Sequence, residues 1–356
     1  MNRLRSRVVV AVFAAALLAL TIALHAQFQG QRGIDRNSQP GFPGANPPAA
    51  PAASTDPPPL ETDLVLLTVS VTAGDRALPV LTRDNFEVLE DGVPQKIAYY
   101  WQDSRPISVG LLIDDSDFMG VNHKYEDLRD VVPTFLKGKN AADEYFVVQF
   151  STFPRMTVSY TTDAKQAPTL FPLGKEDATP DTALTDAIYL GLEAIKESAN
   201  PRKALLVITA GGDKGCDDAS TAQNVYGRPI PSDQLLAFAM KQPVQIYSML
   251  IADDWGTANA GNACNQIPKD ENTLDELAGA TGGHAYLASN SQGGVNSIAT
   301  EVARALKTQF LVGYKSTNTA KDGHRRGVKV KVNPPDGSPK LKVWTKSAYY
   351  APKAKS

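Results

Sequence analysis

The sequence predicts an α/β fold: a doubly wound, Rossmann-like, mostly parallel sheet with a small β module built from both chain flanks. The first observation is that short apolar runs alternate with amphipathic segments between residues 105 and 308. Short, fully apolar strands are typical of a parallel sheet that helices cover on both faces. The second observation is that strand-like runs without helices flank this region on both sides.

Five apolar runs predict the main strands of the central sheet. These runs are "ISVGLLI" (107–113), "EYFVVQFS" (144–151), "KALLVITA" (203–210), "VQIYSMLIA" (244–252) and "HAYLA" (284–288). The run "RMTVSY" (155–160) predicts a shorter edge strand. Parallel strands need crossover connections, and right-handed crossovers place helices on both faces of the sheet.

Apolar residues at a spacing of three or four predict the helices between these strands. The predicted helices cover 125–138, 182–199, 232–242, 270–283 and 293–310. In the second helix Leu184, Ile188 and Ile195 lie on one stripe. Pro133 ends or kinks the first helix unless it lies early in it. Ser232 is the expected N-cap of the third helix.

Both flanks of the central region predict strands. Residues 61–104 contain strand-like runs around an Asp91-Gly92 turn, a dipeptide that favours β-hairpins. Residues 309–352 add strands at 309–316, 327–333 and 340–350. Because each set is too short for a stable domain, we expect one composite β-sheet module made from both ends.

The N-terminal segment predicts export. Residues 1–26 have a positive start, a long apolar run and a small residue at Ala26, which is the layout of a secretory signal peptide. An uncleaved membrane anchor is the alternative, because the apolar run is near the lower limit for a membrane span. Residues 27–60 are rich in Pro, Gly and Ala, which predicts a disordered linker. The expected location is periplasmic, cell-surface or extracellular.

Charge excludes one class of partner. The chain carries 36 Lys and Arg against 38 Asp and Glu, for a formal net charge of −2. The absence of a basic excess argues against nucleic acid. Membrane contact is expected only through an uncleaved signal segment. A protein partner is the remaining expectation.

Acidic residues end the first strand of the central region. Asp114, Asp115 and Asp117 follow the apolar run 109–113, and Ser116 lies among them. Ligand sites in open α/β sheets lie at the carboxyl ends of the strands. Oxygen ligands of this kind suit a hard cation such as Mg²⁺, so the segment is a candidate metal site. A further hydroxyl is expected from Thr182 or Thr185 at the start of the second helix.

Three segments together resemble the von Willebrand factor A (vWA) domain: "SVGLLIDDSDFM", "DTALTDAIYLGL" and "RKALLVITAGGD". The chain is more closely similar to exported bacterial vWA-related proteins. In these, a stretch like "NFEVLEDGVPQKI" precedes the A domain, and a segment like "QFLVGYKSTNTAKDGHRRGVKVKV" closes the chain. The resemblance covers nearly all of 61–352. Each motif is modest, and their order and spacing make the match specific.

The resemblance implies a metal-ion-dependent adhesion site that has lost part of its ligands. The family pattern is Asp-x-Ser-x-Ser, a Thr from a second loop and an Asp after the fourth strand. Asp114, Ser116 and Thr182 match this pattern, whereas Phe118 and Ala210 replace the second Ser and the Asp. We therefore expect a degenerate site that binds Mg²⁺ weakly if at all, and no other cofactor.

The resemblance also implies a non-enzymatic function in protein–protein interaction or adhesion. The partner would bind at the loops around the carboxyl ends of the strands. The residues expected at this rim are Phe118, Asp117, Asp213 and Trp255. With two metal ligands replaced, recognition by shape and apolar contact is favoured over a metal bridge.

Two other functions stay open. Asp115 and Asp117 can be read as the nucleophile and acid of a metal-assisted phosphoester hydrolase, although that chemistry favours smaller residues than Phe118-Met119 after the second Asp. Alternatively the A domain is a structural scaffold and the β module contacts the partner. The serines lie in no Gly-x-Ser-x-Gly context, and the histidines have no metal-ligand spacing.

The strand order that the resemblance implies also suggests a disulfide. Cys216 and Cys264 follow two strands that are neighbours in that order, so both loops would leave the same rim. An exported protein meets the oxidising conditions that a disulfide needs. The bond would close a loop of nearly fifty residues. On the chain-entropy model, a disulfide that closes a loop of this length stabilises the fold by roughly 4 kcal/mol.

Overall fold

The computed structural model describes residues 64–74, 76, 78–116, 119, 132–133, 135–136, 140–163, 183–210, 230–252, 267–289 and 294–354. These residues belong to one compact unit, Thr55–Ser356. The predicted signal peptide and linker lie outside the described residues. Strands and helices alternate through the centre of the unit, so the α/β prediction is confirmed.

The described strands and helices are numbered along the chain. The strands are β1 (Leu64–Thr72), β2 (Phe86–Glu90), β3 (Val93–Gln95), β4 (Ile97–Asp103), β5 (Ile107–Asp114), β6 (Glu144–Phe150), β7 (Pro154–Thr161), β8 (Arg202–Thr209), β9 (Gln245–Ala252), β10 (Ala285–Ser289), β11 (Gln309–Lys315), β12 (Arg325–Val332), β13 (Lys342–Trp344) and β14 (Ala348–Tyr350). The helices are α1 (Leu184–Lys196), α2 (Ser232–Ala239), α3 (Ile267–Thr281) and α4 (Gly294–Lys307).

The central sheet has six strands in the order β10-β9-β8-β5-β6-β7. All neighbours are parallel except β6 and β7, which pair antiparallel. The chain runs from β5 outward to β6 and β7 and then returns to place β8 on the other side of β5. The strand order therefore reverses between β5 and β8, which is where ligand crevices form in open α/β sheets.

Apolar residues cover both faces of this sheet. Leu111 and Ile113 pack in a cluster with α4 and with Val132 and Phe135, while Leu112 packs on the opposite face with α1, α2 and α3. Successive side chains of a strand point to opposite faces, so a run of apolar residues supplies both cores. This is why β5 is buried along its whole length.

Most helix and strand predictions agree with the structure to within a few residues. The predicted cap of α2 is wrong: Ser232 is the first helical residue and Pro231 is the N-cap, with no side-chain hydrogen bond. Pro is well suited to a helix start because its missing N–H has no intrahelical partner there. Of the predicted helix over 125–138, only positions 132, 133, 135 and 136 lie within the described residues, and these are helical.

The flanking strands form two sheets, where the sequence predicted one. β1 from the N-terminal flank lies between β11 and β13 in the order β13-β1-β11-β4. The other sheet has the order β14-β12-β2-β3. The predicted strand 340–350 is two short strands, because β13 pairs with β1 whereas β14 pairs with β12.

The two flanking sheets share an apolar cluster and a buried carboxylate. Val69 of β1, Phe310 of β11 and Val88 of β2 belong to the same cluster. The Glu90 carboxylate accepts hydrogen bonds from the hydroxyls of Tyr314 and Tyr349, each at 2.8 Å. These contacts join strands of both sheets, so the flanks pack as a β sandwich.

A buried polar network joins the β sandwich to the central sheet. Ser70 Oγ of β1 lies 3.1 Å from Tyr247 OH of β9. The Gln309 side chain of β11 donates to Gln245 of β9 and accepts from Arg202 of β8. Buried polar groups are stable only when they are hydrogen-bonded, so this network favours one fixed arrangement of strands.

Among the described residues, no helix is both long and apolar enough to span a membrane.

Gly110 of β5 generates a test of this packing. A Cβ at Gly110 would lie 2.4 Å from the Phe146 ring and 2.6 Å from the Leu205 side chain. We expect Gly110→Ala to lower the free energy of unfolding by about 1–3 kcal/mol, because the neighbours must move.

The control is Gly279→Ala in α3, where a Cβ meets no atom within 4 Å. It should raise stability by up to about 1 kcal/mol in urea unfolding. Equal stability of the two variants would contradict this packing.

Candidate binding rim at the carboxyl ends of the strands

Asp114 ends β5 at the point where the strand order reverses, and its side chain is fully buried. Its Oδ1 accepts a hydrogen bond from the backbone N–H of Ser116 at 2.9 Å. Its Oδ2 accepts from Thr209 Oγ1 at 2.7 Å and from the Ala210 backbone N–H at 3.2 Å. Since Thr209 ends β8, the carboxylate joins the carboxyl ends of two neighbouring strands.

The protonation of Asp114 reflects two opposed effects. Burial raises the pKa of Asp114 above its ordinary value, because desolvation disfavours the charged form. Hydrogen bonds from the Ser116 hydroxyl, from Thr209 and from two backbone N–H groups act in the opposite direction. A carboxylate offers about four lone-pair positions. The Ser116 N–H, the Thr209 hydroxyl and the Ala210 N–H occupy three of them.

Asp115 points to a different part of the rim. Its backbone N–H donates to Phe150 O at 2.7 Å, and its Oδ2 lies 3.3 Å from Arg155 Nη2 of β7. Alternation along an extended chain directs neighbouring side chains to opposite sides. Asp114 and Asp115 therefore contact different strands and do not form a pair that shares one ligand.

The start of α1 is tied to the end of β6. The backbone N–H of Ala183 donates to Ser151 O at 2.7 Å. In the structure, the carboxyl ends of β5, β6 and β8 thus meet around residues 114–116, 151 and 209–210, which we call the rim. Asp117, Phe118, Thr182, Asp213, Trp255, Cys216 and Cys264 lie outside the described residues.

Protein donors surround the carboxylate of the predicted metal ligand Asp114. Its oxygens accept hydrogen bonds from Ser116, Thr209 and Ala210. A methyl group stands at Ala210, where the vWA resemblance implies a carboxylate. Within the described ranges, no three His, Cys, Asp or Glu side chains cluster as metal ligands. The contacts favour a structural role for Asp114.

Sequence reasoning missed two partners of the acidic residues. The apolar run 203–210 predicts Thr209 only as a residue of a buried strand, yet its hydroxyl donates to the Asp114 carboxylate. The position of Thr209 could have indicated this contact. Thr209 is the last residue of β8, the strand next to β5, and directly precedes Ala210. Arg155 gave no such signal, since its contact with Asp115 depends on the antiparallel pairing of β7 with β6.

Several solved structures are similar to this chain. BatB from Bacteroides thetaiotaomicron is 16% identical with a TM-score of 0.40, and the match covers 57% of this chain and all of that one. The SpRpn10 VWA domain is 14% identical with a TM-score of 0.39 over 55% and 95% of the two chains. The vWF domain of the type V pili tip protein Mfa5 from Porphyromonas gingivalis is 11% identical with a TM-score of 0.39 over 56% and 96%. The structural neighbours include vWA domains.

No protein-family model and no curated protein matches the sequence.

The contacts of Asp114 generate a stability prediction. Asp114→Ala leaves the Thr209 hydroxyl and two backbone N–H groups without their acceptor in a buried site. We expect a loss of about 2–4 kcal/mol in the free energy of unfolding, because unsatisfied buried donors keep their desolvation cost. The control is Asp233→Ala on the exposed first turn of α2, expected to cost less than about 1 kcal/mol. Urea unfolding measures both, and equal losses would contradict a structural role.

Proposed function

We propose that this chain is an exported vWA-type binding module that recognises a protein partner through the rim. The observation that carries the proposal is the Asp114 contact with Thr209 and Ala210 at the reversal of strand order. Loops that leave this point lie beside the crevice where ligands bind in such sheets. The fold we infer is a doubly wound vWA-type sheet with a β module from both flanks.

Binding without a metal bridge is the favoured mode. The Asp114 carboxylate is occupied by protein donors, and Ala210 supplies a methyl group to the rim. We infer that the partner contacts the rim through Phe118, Asp117, Asp213 and Trp255. Aromatic residues are frequent anchors in interfaces, because they bury a large area with few rotatable bonds.

A non-enzymatic role is favoured over phosphoester hydrolysis. The hydrolase reading needs Asp115 as a nucleophile with an open path for in-line attack. One Asp115 oxygen instead lies 3.3 Å from the Arg155 guanidinium, and its side chain is 7% exposed. Asp117, the acid of that hydrolase reading, lies outside the described residues.

Export remains part of the proposal on the strength of the N-terminal sequence. The predicted signal peptide (1–26) would direct export, and the linker (27–60) would hold the folded unit away from a membrane or cell wall. A flexible linker of this kind would let the folded unit sample many positions and orientations, so the rim could meet a partner at a distance from the attachment point.

Metal titration tests the first part of the proposal. Mg²⁺ or Mn²⁺ at about 1 mM should stabilise the wild-type protein by less than roughly 0.5 kcal/mol, as expected for a dissociation constant of 1 mM or weaker. The matched variant Phe118→Ser with Ala210→Asp restores the ligand set that the resemblance implies. It should show a larger, EDTA-reversible stabilisation in thermal unfolding. A strong shift in the wild-type protein would contradict metal-independent binding.

Site-specific photo-crosslinking tests the second part. A benzoylphenylalanine at position 118 should capture a partner in the native exported protein, and EDTA should not reduce the yield. The control is the same probe at Tyr350, an aromatic side chain that is 55% exposed on β14 of the β module. Capture at Tyr350 alone would favour the scaffold reading. Loss of the Phe118 product with EDTA would favour a metal bridge.

A further inference from the structure

β10 is an edge strand with no sequence protection. In the described part of the chain it pairs only with β9, on one side. Its sequence, Ala285–Ser289 or "AYLAS", contains no charge and no Pro. Natural edge strands are usually protected by Lys, Pro, a bulge or a covering segment, because their free N–H and C=O groups can pair with another chain.

The register of β10 shows which backbone groups face outward. The backbone N–H of Ser248 donates to His284 O at 3.1 Å, and Ser248 is opposite Ala285 in the parallel ladder. Backbone groups alternate in direction along a strand, so His284 and Tyr286 face β9 while Ala285 and Leu287 face away. The Leu287 side chain is 59% exposed, and no strand among the described residues pairs with its outward-facing backbone groups.

A cavity of about 250 Å³ lies beside this edge. Its lining includes Leu250 and Leu274, with Ser248, Asp275 and His284 as polar groups. The Ser248 side chain is 1% exposed, and its Oγ has no hydrogen-bond partner among the described residues. A buried hydroxyl of this kind requires an explanation, and a ligand in the cavity would supply one.

The charge at the cavity favours a cation. Asp275 is exposed and acts electrostatically on His284, and the ion pairs among the described residues do not include it. Burial lowers the pKa of His284, so its imidazole is neutral near pH 7 and does not compete with a positive ligand. The folded unit Thr55–Ser356 carries 31 Lys and Arg against 37 Asp and Glu, a net charge of −6. This charge favours positive segments, and near the cavity it is opposed by Lys342, which acts electrostatically on His284.

We propose that β10 binds an extended segment of a partner protein as an added strand, with a Lys or Arg side chain of that segment in the cavity. The backbone groups of Ala285 and Leu287 pair with the segment. The aliphatic part of the cation packs against Leu250 and Leu274, and its charged end reaches Asp275 and the Ser248 hydroxyl. Long cationic side chains combine such an apolar stem with a polar end.

A second copy of β10 is a poorer occupant than a cationic segment. The sequence "AYLAS" carries no Lys or Arg, so a second copy of β10 would leave Asp275 and Ser248 without partners. The proposed strand also lies at the side of the sheet, away from the rim. This site is therefore separate from the rim of the proposed function, and each can fail without the other.

Arrays of ten-residue peptides test the proposal. The flanks vary among Thr, Val, Ile and Ser, and the central residue is Lys, Arg, Ala or Glu. The exported full chain should be retained by the Lys and Arg arrays about tenfold more than by the Glu array, as expected for one charge-assisted contact. Fluorescence polarisation with the strongest peptide then gives dissociation constants for the variants.

Leu287→Pro is the decisive variant. It removes an N–H that faces away from β9, so the hydrogen bonds between β10 and β9 are retained. We expect it to weaken peptide binding about tenfold or more, a loss of about 1.4 kcal/mol, whereas the matched Leu287→Thr retains binding. Thermal unfolding of both variants checks that the sheet is intact. Ser248→Ala and Asp275→Asn should each weaken binding of the Lys and Arg peptides, and Ser248→Ala should cost no stability.

Three results would overturn the proposal. The first is equal retention on the Lys, Arg, Ala and Glu arrays. The second is equal peptide affinity for Leu287→Pro and Leu287→Thr. The third is a wild-type dimer in solution that Leu287→Pro dissociates, which would make a second copy the occupant. Phe118→Ala is the control for the rim and should leave peptide affinity unchanged.

Discussion

The buried guanidinium of Arg202 fixes the place where the central sheet meets the β sandwich. Its Nε donates to Gln309 Oε1 at 3.0 Å, and its terminal nitrogens donate to the carbonyls of Arg105 and Leu306. The chain passes between the two parts just before β5 and again between α4 and β11. Arg202 binds at both passages, so one side chain holds both connections in a single geometry. Burial lowers its pKa, and the three acceptors offset the cost of desolvation.

Asp114 has the corresponding role at the opposite end of the same two strands. Arg202 begins β8 and Thr209 ends it, while Asp114 ends the neighbouring β5. The pair of strands at the reversal point is thus fixed by buried polar contacts at both ends. A rigid strand pair of this kind can carry variable loops, because the loops need not stabilise the sheet themselves. This division of roles suits a binding module.

The two recognition surfaces proposed above differ in chemistry. At the rim, the proposed partner is recognised by shape and apolar contact. At the β10 edge, the proposed partner is an extended cationic segment that pairs with backbone groups beside a cavity lined by Asp275.

The sequence by itself determined the alternation of strands and helices, the apolar faces and the position of Asp114 at a strand end. These features depend on local periodicity and composition, which a chain carries without its fold. Only the tertiary structure decided that residues 340–350 divide between two sheets, that Asp115 pairs with Arg155, and that Thr209 satisfies Asp114. Strand partners and hydrogen-bond satisfaction depend on contacts between residues far apart in sequence, and local patterns do not encode them.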